Sequence, residues 1–312
     1  MRVLVTGAFG FVGTALVERL TAAGHEVRAL TSRAAEISEA ESAVDVVRGD
    51  VRDLDAMRRA VRDVDGVCHL AALARVREAR ERAADYWSVN HGGTKNVVQA
   101  AVEQGRPMRF VLASTGAVYG QPALQPIPED LPLPNLMHEY GETKCAAERE
   151  VLEVPESDGA FGAVVLRLFN VAGAARGRTG DPETIIPKTL AVARGEIPAL
   201  QINGDGESVR DFVHVYDVAR AFELALGHAV PGRRSVFNVG ARGASVLDVV
   251  RAVREVTGRE VPVEHHPSRG EARTLLADTR KIRAELDWSP ERSDLGTIIA
   301  DAWRATGESA EK

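Results

Sequence analysis

Tyr140 and Lys144 stand four residues apart in Tyr140-Gly141-Glu142-Thr143-Lys144. On a helix this spacing puts both side chains on one face, about one turn apart. An ammonium beside a phenol lowers the phenol's pKa from its ordinary value near ~10. A tyrosine tuned in this way serves as general acid and base at neutral pH. The pair follows a strand ending in Ser114-Thr115. The Thr115 hydroxyl can hydrogen-bond a reacting hydroxyl and align it with Tyr140. The Tyr–Lys spacing taken alone also fits a surface pair, so its meaning depends on what surrounds it.

A second constellation opens the chain. Thr6-Gly7-Ala8-Phe9-Gly10-Phe11-Val12-Gly13 follows a short strand and leads into a helix, with glycines at every third position. Gly7 allows the tight turn, Gly10 lets backbone approach a pyrophosphate, and Gly13 permits close packing of helix on strand. The helix N-terminus offers free N–H groups and a positive dipole end to phosphates. This is the pattern of a dinucleotide site, and Gly7, Phe9, Gly10, Phe11, Val12 and Gly13 are its expected cofactor contacts. A positive nicotinamide ring nearby would add to the effect of Lys144 on Tyr140. The second strand ends in Leu30-Thr31-Ser32-Arg33, with no acid to hold an adenosine 2′-hydroxyl. Arg33 either meets a 2′-phosphate, favouring NADP over NAD, or is a solvated loop cation. Asp50, followed by Val51, can accept from the adenine amino group. Its alternative, a helix N-cap, suits Asp53 at least as well.

These groups need a frame, and the first half of the chain supplies one. Strand signals at Val3–Val5, Glu26–Leu30, Val44–Val47, Gly66–Leu70, Arg109–Ala113 and Ala163–Phe169 alternate with helical segments. The helices fall at Gly13–Ala23, Leu54–Val61, Gly93–Gln104 and Tyr140–Leu152. Such alternation predicts a parallel sheet covered on both faces, an α/β doubly wound Rossmann arrangement. Gln121–Asn135 holds five prolines and reads as an extended connector, either a stiff linker or a wall of the active site. Beyond Asn170 the alternation fades into glycine-rich loops. Helices are expected around Pro187–Arg194, Val218–Leu226, Val246–Thr257 and Arg280–Leu286, with a strand at Asp211–Val215. The expected division is a dinucleotide-binding part over residues 1–170, with a return segment near 209–239. A smaller, mainly substrate-binding α/β part covers 171–312, and the substrate lies in the cleft between them.

Composition narrows the class. The chain has 312 residues, 45% hydrophobic and 27% charged, and a net charge of −6. An acidic balance argues against general nucleic-acid binding, which needs a basic footprint. No apolar run reaches the ~18 residues of a membrane helix. The apolar N-terminus reads as a strand rather than a leader, and the expectation is a cytoplasmic enzyme. Cys68 and Cys145 show neither metal spacing nor a disulfide framework, and no metal site is expected.

With these residues in view, the chain resembles the extended short-chain dehydrogenases/reductases, the NAD-dependent epimerase/dehydratase family, and within them the UDP-glucose 4-epimerase group. The matching segments run in order from Val3 to about Trp288. They include Thr6–Gly13, His69-Leu70-Ala71-Ala72, Asn90-His91-Gly92-Gly93-Thr94, Ser114–Gly120, Tyr140–Lys144, Arg167–Asn170, Val209–His214 and Leu276-Ala277-Asp278. The resemblance implies roles. Tyr140 exchanges the proton, Lys144 holds the nicotinamide ribose, and Thr115 binds the sugar hydroxyl. Leu70, Ala71 and Ala72 line the cofactor, and Phe169 lies near the nicotinamide. Asn170 and Arg210 hold the nucleotide diphosphate, although Arg210 also suits an ion pair with Asp211. A late arginine of the family pattern falls on Ser268, with Arg269 beside Gly270, so the second diphosphate cation is open. A homodimer through the Tyr–Lys helix and its neighbour is also implied.

Residues after Thr115 bear on the reaction. Dehydratases and decarboxylases of this class resemble sequences with a carboxylate here, whereas this chain has Gly116-Ala117. Elimination would lack its acid. The expected activity is 4-epimerisation of a UDP-hexose or UDP-hexuronate, by transient oxidation at C4 with a bound NAD. The alternative is an NADPH-dependent reductase of a nucleotide 4-keto sugar. A uronate would need an extra cation, for which Arg176 and Arg178 are candidates unless both are solvated.

Overall fold

The computed structural model describes residues 1–32, 44–134, 138–155, 159–268, 270 and 272–307. Seven strands rich in β-branched and aliphatic residues pair in parallel. They are β1 (Arg2–Thr6), β2 (Glu26–Thr31), β3 (Asp45–Arg48), β4 (Gly66–His69), β5 (Met108–Thr115), β6 (Phe161–Leu168) and, from far later in the chain, β12 (Arg234–Val239). Their spatial order is β12-β6-β5-β4-β1-β2-β3. Every residue of β4 and β6 is buried, as a sheet covered on both faces requires. The order reverses between β1 and β4, where Thr6 lies opposite His69. Crevices beyond the carboxyl ends of strands at such a switch point are where open α/β sheets bind ligands.

Helices cover both faces. On one lie α1 (Phe11–Ala22) and α7 (Val215–His228), which bury Leu16, Leu20, Val218 and Phe222 with Val3, Val5 and Val111. On the other lie α2 (Leu54–Ala60), α4 (Gly93–Val102) and α5 (Glu139–Leu152), which bury Met57, Val97, Ala101, Ala147 and Val151 with Leu4, Phe110 and Val165. Helix α4 begins at Gly93, where its apolar spacing begins, but it is not the first turn of that helical run. A short helix α3 (Ala83–Tyr86) and a π-helical turn (Trp87–Gly92) run directly into it.

The rest of the chain forms a smaller layer. Strand β11 (Val209–His214) pairs with β7 (Asn170–Ala172), β13 (Arg242–Ser245) and β15 (Thr274–Leu275). A hairpin joins β8 (Ala174–Ala175) to β9 (Arg178–Thr179), and β10 (Leu200–Asn203) pairs with β14 (Val263–His266). Helices α6 (Ile185–Ala193), α8 (Val246–Thr257) and α10 (Leu295–Ala305) enclose a core of Leu190, Val249, Val253, Ile298, Ile299 and Trp303. Ser245 caps α8 reciprocally with Asp248. The seven-residue α9 (Arg280–Leu286) packs beside β12 and α7.

One expectation needs correction. The last helix is α10, not α9, and its buried Ile298, Ile299 and Trp303 close the smaller core. The stretch after α7 also yields β12, a strand of the main sheet, whereas β11 stays in the smaller one. The proline-rich connector is no free linker. Ile127 is fully buried, donates its N–H to Leu276 O at 2.7 Å and accepts from Asp278 N–H at 2.9 Å.

Candidate active site

The glycine loop turns at Gly7, whose φ of +67° a side chain would strain, and whose absent Cβ would lie 2.9 Å from Ala71 N. A Cβ on Gly13 would collide with the Gly7 carbonyl oxygen. The loop and the segment after β4 therefore touch through backbone. Gly10 caps α1 with no side-chain hydrogen bond, which leaves the first amides of the helix as donors for an anion. Phe9 is buried, and Phe11 and Val12 are half-buried at the start of α1. These features fit a dinucleotide's pyrophosphate.

A buried hydrogen-bond chain joins this loop to the Tyr–Lys helix. Thr6 Oγ1 accepts from the N–H groups of Leu70 and Ala71, both at 3.1 Å, and lies 2.7 Å from His69 Nδ1. With its acceptor capacity taken, Thr6 donates to Nδ1, which puts the imidazole proton on Nε2. Nε2 donates to Thr94 Oγ1 at 3.0 Å, and Thr94 donates to Asn90 O at 2.6 Å. The Asn90 amide donates to Leu73 O and Thr143 Oγ1 and accepts from Leu73 N–H. Thr143 donates to Tyr140 O at 2.9 Å. Burial, with the Lys144 charge adding to it, holds His69 down at about 3, so the ring is neutral. Leu70, Ala71 and Ala72 are thus fixed beside Gly7, on the same frame as Tyr140.

Tyr140 and Lys144 are both buried on α5. Burial pushes the Tyr140 phenol up to about 12, while a hydrogen bond from the Thr115 hydroxyl favours the phenolate. The expected lowering by Lys144 does not act on Tyr140 in this arrangement; desolvation is the dominant influence. Lys144 itself is brought down to about 8 by burial, opposed by the charge of Glu148. Thr115 Oγ1 also accepts from Ala117 N–H at 3.1 Å. At Gly116 an added Cβ would lie 3.2 Å from the Phe169 ring, so Phe169 occupies the space a longer side chain would need.

Beneath these groups lies a second polar cluster that sequence reasoning did not anticipate. Arg167 forms a fully buried ion pair with Glu148 at 2.8 Å. Ser114 donates to the same carboxylate, and Arg167 reaches Tyr119 Oη at 2.8 Å. Tyr119 donates to Asn238 Oδ1 at 2.7 Å. Arg167, at the head of Arg167-Leu168-Phe169-Asn170, was legible only as part of that segment; its partners come from α5, the turn after β5 and the proline-rich connector.

Other expected residues fall as follows. Asp50 pairs with Arg52 at 2.6 Å, which lowers its carboxyl's pKa, and the cap of α2 is Asp53, accepting from Ala56 N–H. The Val51 side chain is buried against Gly93. Asn170 is exposed and donates to Asp211 O at 2.9 Å. Arg210 does not pair with Asp211. It donates to the carbonyls of Val209 and Ala272, while Asp211 accepts from Ala241, Arg242 and Ala277 N–H groups. Arg210 lines a cavity of about 290 Å³ with Lys188, Arg77, Glu183, Asn203 and Phe212. Arg178 donates to Phe9 O at 3.1 Å, and Arg176 is exposed at the turn. Arg33 and Arg269 lie outside the described residues. Burial pushes both thiols up, Cys145 to about 11. His214 caps α7, accepting from Tyr216 N–H. Among the described residues, no cluster of three or more His, Cys, Asp or Glu could hold a metal, and no helix is long and apolar enough to cross a membrane.

Comparison with known proteins agrees with this geometry. The chain is 38% identical over 314 residues to the UDP-glucose 4-epimerase of Streptomyces lividans, covering 96% of this chain and 94% of the relative. It superposes on UDP-glucose 4-epimerase from Brucella ovis in complex with NAD with a TM-score of 0.90, at 31% identity over 99% of both chains. It superposes also on the Bifidobacterium longum UDP-glucose 4-epimerase in complex with NAD+ and UDP, with a TM-score of 0.88 and 29% identity over 98% of each. Residues 3–240 match the sequence model of one family, and the chain belongs to it: the NAD dependent epimerase/dehydratase family.

Proposed function

We propose that the protein is a nucleotide-sugar 4-epimerase acting on a UDP-hexose with a retained NAD. One observation carries the reading. The Thr115 and Tyr140 hydroxyls are hydrogen-bonded at the end of β5, and the Phe169 ring fills the place beside Gly116 where eliminating relatives need an acid. The names of the relatives, and the NAD in the solved neighbours, support it.

A bound NAD would supply reversible hydride transfer at C4 of the sugar. The protein manages the proton. Tyr140 Oη takes the C4 hydroxyl proton as oxidation proceeds and gives it back on reduction. Thr115 orients that hydroxyl and favours the phenolate through its hydrogen bond, and Lys144 holds the nicotinamide ribose. Gly7, Phe9, Gly10, Phe11, Val12 and Gly13 hold the pyrophosphate, Asp50 and Val51 the adenine end, and Leu70, Ala71, Ala72 and Phe169 the nicotinamide end. Asn170 and Arg210 hold the substrate diphosphate. Lys188 of α6, in the Arg210 cavity, supplies the second cation that position 268 lacks. Arg178 is engaged with the glycine loop rather than reserved for a sugar carboxylate, which favours a neutral hexose over a uronate.

This reading divides the chain near Asn170, with 1–170 and a return through α7 and β12 serving the cofactor and the rest of 171–312, β11 included, mainly the substrate. It also implies a cytoplasmic homodimer. The pairing face is α4 and α5, where Val98, Val102 and Val154 line a cavity of about 350 Å³ ringed by Lys95, Arg149 and Glu150.

The test is to incubate the purified protein with UDP-glucose, adding no cofactor, and to follow the anomeric protons by NMR. Signals of the galacto epimer are expected. No conversion even with NAD added, together with NADPH-dependent consumption of a nucleotide 4-keto sugar, overturns the proposal in favour of a reductase.

A further inference from the structure

We propose that residues 178–183 form a strap that retains the cofactor, with Arg178 as its principal tie; the inference rests on the reading above that the glycine loop holds NAD. The strap leaves the β8–β9 hairpin, whose root at Ala174 and Ala175 is buried and whose turn passes through Arg176 and Gly177 at positive φ. It then crosses to the two segments whose backbones meet at the switch point. Arg178 Nη1 donates to Phe9 O inside the glycine loop at 3.1 Å, and the Phe11 ring lies 3.5 Å from where a Gly180 Cβ would stand. Further along, Asp181 pairs with Arg75 at 3.3 Å and Glu183 with Arg77 at 3.1 Å, just past the Leu70–Ala72 segment. Asp181 shapes the strap as well, accepting from Glu183 N–H at 3.0 Å and, through its carbonyl, from the Thr184 hydroxyl at 2.7 Å. One short segment of the smaller layer is thus tied to both walls of the cofactor crevice.

The ties differ in strength. Arg75 and Arg77 are more than half exposed, and ion pairs of that kind contribute little and are screened by salt. The Arg178 bond is charge-assisted, half-buried and made to a backbone carbonyl, so it dominates. An enzyme that returns its hydride within each turnover gains from a cofactor that does not leave, and a strap tied across the crevice slows its departure.

The experiment measures cofactor content of the purified protein by absorbance after denaturation. It then measures the rate at which bound NADH, followed by fluorescence, is displaced by excess NAD. Arg178→Ala should release NADH about tenfold faster than wild type or faster, with Arg178→Lys between the two, on the scale of losing one charge-assisted hydrogen bond. Asp181→Asn with Glu183→Gln should accelerate release about two- to threefold at low salt and lose that difference at high salt. This double variant keeps the test intact should Arg178→Ala not fold. Unchanged release in Arg178→Ala, or in the double variant at low salt, overturns the strap. Wild-type protein that neither carries nor binds a nicotinamide cofactor overturns the functional reading instead.

Discussion

Lys144 carries the most sensitive charge of the site, because that charge is marginal at neutral to alkaline pH. Burial brings it to about 8, and the nearby Glu148 carboxylate works against that fall. The ammonium is charged below that pH and lost as pH rises through it, so activity that depends on it declines on the alkaline side. Glu148→Gln removes the opposing charge, and the Lys144 pKa drops further. The alkaline limb of the kcat/KM profile should therefore move to lower pH, by about one pH unit. The same change strips the buried Arg167 of its counter-ion and should cost up to about 3–5 kcal/mol in a urea melt. An alkaline limb that stays in place while stability falls would leave Glu148 a purely structural partner. At this scale the sequence was readable where chemistry is local. The four-residue Tyr–Lys spacing and the missing acid after Thr115 needed no fold. The direction of the Tyr140 shift was not readable, since it depends on how completely α5 is buried.

The π-helical turn Trp87–Gly92 is the element that links cofactor and proton chemistry. The wider turn places Asn90 where its amide meets both Leu73 and Thr143, so that one side chain fixes the segment beside Gly7 and the first turn of α5. Asn90→Ala leaves the Leu73 N–H and C=O and the Thr143 hydroxyl without that partner in a buried place. A loss of about 2–4 kcal/mol is expected from one to three stranded groups, measured by chemical denaturation. Cofactor content should fall with it. A variant as stable as wild type would mean that water satisfies these groups. The helical period located α4 but not the turn before it, because Ala83–Gly92 carries no clean apolar stripe and its conformation is set by Asn90's distant partners. The segment Asn90–Thr94 was visible as a family match; its function as a brace was not.

For the whole molecule, two layers divide the work, and the chain crosses between them more than once. Helix α5 carries Tyr140 and Lys144 on its inner face and, with α4, presents an apolar groove with charged edges on its outer face. Pairing of two copies there would brace the catalytic helix from behind. Sedimentation or light scattering at micromolar concentration should give twice the chain mass of 33.5 kDa, and Val102→Glu, at a half-buried position of the groove, should give monomers. A wild-type monomer at that concentration would remove the dimer from the proposal.

Sequence alone determined the doubly wound class, the cofactor loop and the candidate acid–base set, because each depends on period, turn chemistry or spacing within a few residues. Strands β1, β2, β4, β5 and β6 appeared where β-branched runs alternate with helical ones. The tertiary structure decided what depends on distant pairing. It made Arg234–Val239 the outermost strand of the main sheet, by pairing it with Phe161–Leu168 across 65 or more residues of chain. It likewise made Leu295–Ala305 the last helix, since that helix is specified by the core it closes. It also turned Arg178 from a candidate sugar contact into a tie on the glycine loop, because a guanidinium's role is set by the acceptor that folding brings to it.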